Sequence, residues 1–101
     1  MRKTSKSVLV GDIDIACTLV GNGSPVIVIH GAIGLGSAYM RALHPWGGQL
    51  GLVYYDQRGS GRTELGDVAR VSFAGGVEDL DGLRRGLGLE RVQLLGHSAG
   101  A

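Results

Sequence analysis

Two apolar runs stand out along the chain, Val26-Ile27-Val28-Ile29 and Leu52-Val53-Tyr54-Tyr55. Neither alternates with polar residues, so each predicts a strand covered on both faces of a sheet. Upstream, Ser7–Val10 and Ile13–Val20 alternate polar and apolar positions around Gly11-Asp12, which predicts an antiparallel hairpin. Gly21-Asn22-Gly23-Ser24-Pro25 reads as a turn, and residues 31–36 as a glycine-rich loop. Ser37 is placed to cap a short helix reaching about Leu43, which Pro45 stops. Val77, Leu80, Leu83 and Leu87 recur at near-helical spacing and predict a helix over 73–87. Gly75, Gly76, Gly82 and Gly86 lower its intrinsic propensity, so packing must hold it. Gly88-Leu89-Glu90 is a tight link into a strand over 91–95. Strands alternating with helices after a hairpin imply a largely parallel sheet with right-handed crossovers.

Composition narrows the picture. The chain has 101 residues, of which 44% are apolar, enough for one small core and too apolar for a disordered segment. Its net charge of +1 leaves no basic surface for phosphate neutralisation, which argues against a nucleic-acid partner. Arg2, Lys3 and Lys6 imitate the start of a signal peptide, but Asp12 and Asp14 interrupt the apolar stretch after them. No run reaches membrane-spanning length, so no membrane partner is expected. Cys17 is the single cysteine and excludes an intramolecular disulfide, which makes a cytoplasmic setting the default. The 19 glycines follow no repeat, and many sit where an apolar run ends, as tight turns require.

Three glycine-bearing segments come directly after the expected strands. His30-Gly31-Ala32-Ile33-Gly34 can expose backbone amides toward an oxygen that becomes negative during acyl transfer. In Asp56-Gln57-Arg58-Gly59-Ser60-Gly61-Arg62, glycines permit a tight loop, which Asp56 and Arg58 can tie down by charge-assisted bonds. Gly96-His97-Ser98-Ala99-Gly100 is a G-x-S-x-G, the pattern of a serine held on a sharp strand-to-helix turn. Side chains at Gly96 or Gly100 would collide with neighbouring elements in so tight a bend. A phosphate-binding loop is not expected, because residues 31–37 lack its Lys and no G-x-G-x-x-G comes after a strand. No cofactor and no metal are expected.

Taken in order, the three motifs His30-Gly31, Asp56-x-Arg58-Gly59-x-Gly61 and Gly96-x-Ser98-x-Gly100 resemble the α/β-hydrolase family. The resemblance covers nearly the whole chain but only the N-terminal portion of that fold. It implies a mostly parallel twisted sheet with an N-terminal antiparallel hairpin, cut after the nucleophile elbow, so that residues 1–101 form the N-terminal part of one domain. It also implies that the 26–29 strand lies between the 52–55 and 91–95 strands. Ser98 is the implied nucleophile, and the backbone amides of Ala32 and Ala99 form the implied oxyanion hole. A later acid and a later histidine would complete the site. The run from Asp56 to Thr63 is similar to the proline iminopeptidase branch, which usually ends it with Ser. That branch commonly has His-Gly-Gly-Pro-Gly at the first motif and Trp after the nucleophile, where this chain has Ala32, Ile33 and Ala99.

The expected function is therefore that of a serine hydrolase, esterase or aminopeptidase-like, acting on a small-molecule ester or amide. The alternative is an inactive relative or binding module that keeps the elbow. None of the three histidines is expected to serve as base. His97 adjoins Ser98 and points the other way, His30 packs beneath the oxyanion turn, and His44 precedes Pro45 at a helix end. Residues 1–101 alone are expected to be inactive and prone to association, with the outer side of the 91–95 strand left as an open edge.

Overall fold

A computed structural model of the chain describes residues 3–21, 23–31, 36–40, 43, 45, 50–97 and 100. Among the described residues, five strands form one open sheet: β1 (Lys3–Val10), β2 (Ile13–Val20), β3 (Ser24–Ile29), β4 (Leu50–Tyr55) and β5 (Gln93–Gly96). Their spatial order is β1-β2-β4-β3-β5. The hairpin β1–β2 is antiparallel and joins the sheet antiparallel to β4, while β4, β3 and β5 run parallel. β3 thus lies between β4 and β5, as the resemblance implied.

The continuous apolar runs are explained by a hydrophobic cluster on each face of the sheet. Ile27, Val53 and Tyr55 point to one face, where they join Ile15 of β2 and Leu83 of the helix α1 (Phe73–Gly86). Val26, Val28, Leu52 and Tyr54 point to the other and pack with Met40. Successive residues of a strand face opposite sides, so a strand apolar at every position must have both sides covered.

Helix α1 lies against β1 and starts at Ser72, whose side chain accepts the Gly75 N–H at 3.0 Å. A Cβ at Gly82 would overlap Val10 Cγ1, and one at Gly86 would overlap Val8 Cγ1. The glycines that weaken the helix in isolation therefore let it seat closely on the strand. The helix face differs from the one expected. Leu83 is buried, but Val77 is 65% exposed and the turn between them buries Asp79 instead. Asp79 is drawn inward by Arg58.

Boundaries also moved. β1 begins at Lys3 rather than Ser7, because an edge strand can carry polar residues while the Lys3↔Val20 register continues. Ser24 and Pro25 belong to β3 rather than to a turn. Pro25 pairs with Gly51 of β4 but precedes the Val26↔Gln93 register, so its missing N–H meets a neighbouring strand on one side only. β5 is shorter than expected and lies at the edge, with Leu94 and Leu95 exposed. No helix among the described residues is long and apolar enough to cross a membrane.

Candidate active site

The parallel strands β3 and β5 end side by side, with Ile29 in register with Gly96. The chain segments just beyond them, His30-Gly31 and His97, are therefore neighbours. The His97 N–H donates to the Ile29 carbonyl at 3.1 Å, and the Gly100 N–H donates to the His97 carbonyl at 3.0 Å. A Cβ at Gly100 would lie 2.5 Å from the Ile29 carbonyl oxygen and 2.6 Å from that of His30. Only a glycine fits where this turn crosses the end of β3, which is the collision expected from the G-x-S-x-G spacing. Ser98, Ala32 and Ala99, the expected nucleophile and amide donors, lie outside the described residues, as does His44.

His30 is fully buried and both its ring nitrogens are engaged. Nε2 accepts the Gln57 N–H at 2.9 Å, which leaves Nδ1 to donate to the Gly31 carbonyl at 3.0 Å. Burial holds its pKa below the ordinary histidine value despite the Gly31 bond and the Asp56 charge. A neutral ring with no free nitrogen cannot take a proton from a serine, so His30 is a structural bolt beneath the turn. The Gln57 side chain adds a second tie, donating to the His30 carbonyl at 2.7 Å.

The loop after β4 is organised by two buried charges that do not pair with each other. Asp56 accepts the Ser37 N–H at 2.7 Å, the Ser37 hydroxyl at 2.9 Å and the Arg62 N–H at 3.0 Å. Burial pushes its carboxyl pKa upward, but these donors and the Arg62 charge outweigh that and hold it below the usual range. Ser37 therefore spends its hydroxyl on Asp56 instead of capping a helix, and residues 38–40 form a short 3-10 turn in which Met40 N–H donates to the Ser37 carbonyl. Gly61, at φ +51°, passes so close that a Cβ would lie 2.6 Å from Asp56 Oδ2.

Arg58 reaches away from Asp56. Its Nε and Nη2 donate to the buried Asp79 of α1 at 3.0 and 3.1 Å. Its Nη1 and Nη2 donate to Asp12 of the hairpin turn at 3.1 and 2.9 Å, and Nη1 also donates to the Leu65 carbonyl at 3.2 Å. All five N–H bonds of the guanidinium are thus used, and it clamps hairpin, loop and helix together. The Arg58 bonds, joined by the Asp67 N–H, hold the Asp12 carboxyl well below the usual carboxylate range. Thr63, which stands where the similar branch has Ser, keeps the hydroxyl function: its Oγ1 accepts the Ala16 N–H at 3.0 Å.

Tyr39 was not singled out by any motif. Its hydroxyl accepts the Gly31 N–H at 2.6 Å and lies 2.9 Å from His97 Nδ1. An isolated Tyr eight residues past a glycine turn carries no sequence signal for such a contact.

No protein-family model matches the chain. It is 35% identical over 81 residues to a proline iminopeptidase of Heyndrickxia coagulans, a match that covers 79% of this chain and 28% of that protein. It is 31% identical over 102 residues to a fluoroacetate dehalogenase of Burkholderia sp., covering 90% of this chain and 31% of that protein. A crystal structure of a proline iminopeptidase-related protein from Thermus thermophilus superposes with a TM-score of 0.91 at 37% identity, over 100% of this chain and 38% of the other. The fold is the N-terminal portion of the α/β-hydrolase fold. A further α/β hydrolase, from Nostoc sp. PCC 7120, matches that fold with a TM-score of 0.84 at 19% identity, over 98% of this chain and 35% of the other. The chain spans about a third of the length of these proteins, and the curated relatives are hydrolases.

Proposed function

We propose that residues 1–101 are the N-terminal part of a single serine hydrolase domain that cleaves a small-molecule ester or amide. In this reading Ser98 Oγ attacks the acyl carbon, and the negative oxygen is held by the backbone amides of Ala32 and Ala99. The serine proton passes to a base and on to the departing alcohol or amine; water then cleaves the acyl-serine bond and regenerates the hydroxyl. The observation that carries the reading is the crossing of the 97–100 turn over the end of β3, where Gly100 fits against the Ile29 and His30 carbonyls. This brings the sequence neighbours of Ser98 and Ala32 to one edge of the sheet.

In this reading the base and its acid come from outside residues 1–101, as the family resemblance implies. His30 is neutral and doubly bonded, and His97 turns its Nδ1 to Tyr39. The similarity to proline iminopeptidases supports an aminopeptidase-like substrate. The buried, unpaired Cys17 supports a reducing, cytoplasmic setting.

The test is a fluorophosphonate probe on the full-length protein, followed by a panel of prolyl and other aminoacyl amides, short acyl esters and fluoroacetate. Labelling and acyl turnover that vanish in Ser98→Ala are expected. Labelling that survives Ser98→Ala, or release of fluoride from fluoroacetate without acyl turnover, refutes the proposal.

A further inference from the structure

We propose that Tyr39 is a positioning residue of this site, its hydroxyl fastening the turn after β3 to the turn after β5. The inference rests on the reading of Ser98 as nucleophile and adds a residue to it. The phenol oxygen accepts the Gly31 N–H at 2.6 Å and contacts His97 Nδ1 at 2.9 Å. Gly31 directly precedes Ala32, the proposed amide donor, and His97 directly precedes Ser98. One hydroxyl therefore joins the residues immediately upstream of both reacting positions.

A phenol offers one proton and two lone pairs. The Gly31 N–H takes one lone pair, so the oxygen can serve Nδ1 either as donor or as acceptor, and the imidazole is held in both cases. The two rings, 5.5 Å apart and tilted by 60°, pack on each other. The backbone of His97 is anchored separately, through its N–H on Ile29 and its carbonyl on Gly100. Its side chain thus has one task left that the structure shows, which is to meet Tyr39. This also accounts for a histidine beside the nucleophile that does not act as its base.

The geometry matters because an oxyanion donor must stand about 2.7–3.1 Å from the oxygen it stabilises. A misplacement of about 1 Å can cost on the order of 100-fold in rate. A link between the donor turn and the nucleophile turn sets that distance directly. Phenylalanine at position 39 would keep the ring packing and lose only the link.

The experiment uses the full-length protein and Tyr39→Phe, with p-nitrophenyl acetate turnover, the rate of fluorophosphonate labelling and the ¹⁵N resonance of His97 Nδ1 as readouts. The expected result is a fall in kcat and labelling rate of about tenfold or more with KM within about twofold, together with a shifted Nδ1 resonance. His97→Phe should lower kcat by a similar factor, and the double variant should lose less than the product of the two single losses. Wild-type kcat in Tyr39→Phe, or an unmoved Nδ1 resonance, overturns the proposal. If the wild-type protein takes no label at Ser98, the hydrolase reading fails and the positioning role fails with it. The Nδ1 resonance still shows whether the link itself exists, so the two failures are told apart.

Discussion

Replacing Arg58 with methionine isolates the clamp that holds the Asp56–Arg62 loop to the rest of the fold. Arg58 is 4% exposed and makes four charge-assisted bonds, two to Asp79 and two to Asp12, besides one to a carbonyl. Its removal leaves the Asp79 carboxylate, itself 4% exposed, with one remaining cation among the described residues, the Arg70 guanidinium at 3.8 Å. Breaking a buried pair by deleting one partner costs about 3–5 kcal/mol, most of it from the charge left behind. The nearby Arg70 partly offsets that, so about 3 kcal/mol is expected. Urea unfolding followed by circular dichroism measures it. If the stranded carboxylate is the cause, adding Asp79→Leu should recover more than half of the loss, because a well-packed apolar pair replaces the charges. A loss below about 1 kcal/mol would show that the clamp behaves like an exposed ion pair. A double variant no better than Arg58→Met would show that the stranded charge is not what costs.

Within α1, Gly82→Ala and Gly76→Ala make the same change in helix propensity in different surroundings. Alanine at Gly76 meets nothing within 4 Å and should stabilise by about 1 kcal/mol, whereas at Gly82 it meets Val10, and an overpacking cost of about 1–3 kcal/mol less the same gain should leave a net loss of up to about 2 kcal/mol. Urea midpoints of the same sign for both would refute close seating of the helix on β1. Acid sensitivity should appear first at His30. The unfolded chain binds a proton there near pH 6.5 and the folded chain resists it, so stability falls as pH drops through 6.5 toward the lower folded pKa. Asp56, whose folded pKa lies below 3.8, stabilises above that value and gives its share up at lower pH as it protonates in the fold. A urea midpoint flat from pH 7 to pH 5 would contradict the buried neutral His30, and His30→Asn should flatten that part of the profile.

Local pattern carried the architecture. Two unbroken apolar runs require cover on both faces, and the structure puts a cluster on each side of β3 and β4. The hairpin, the helix start near Phe73 and the glycine turn after β4 were legible because each depends on residues close together in the chain. The order of β3 between β4 and β5 came from the resemblance of three motifs rather than from any one of them. The glycine that closes the G-x-S-x-G was legible as a place of close approach, and a Cβ at Gly100 would indeed meet the Ile29 and His30 carbonyls.

Tertiary structure decided the pairings that cross the chain. Arg58 passes Asp56, two residues away, and reaches Asp79 and Asp12, 21 and 46 residues away, because a buried guanidinium needs planar acceptors on all its N–H bonds and the fold supplies them there. Ser37 satisfies a buried carboxylate instead of capping a helix for the same reason. Val77 yields the buried face of α1 to Asp79, reversing the hydrophobic rule where a buried ion pair demands it. The contacts of Tyr39, His30 and Gln57 exist only where strand ends meet. A hydrogen bond depends on positions within a few tenths of an ångström, and residue spacing along the chain specifies those positions only inside a single turn or strand.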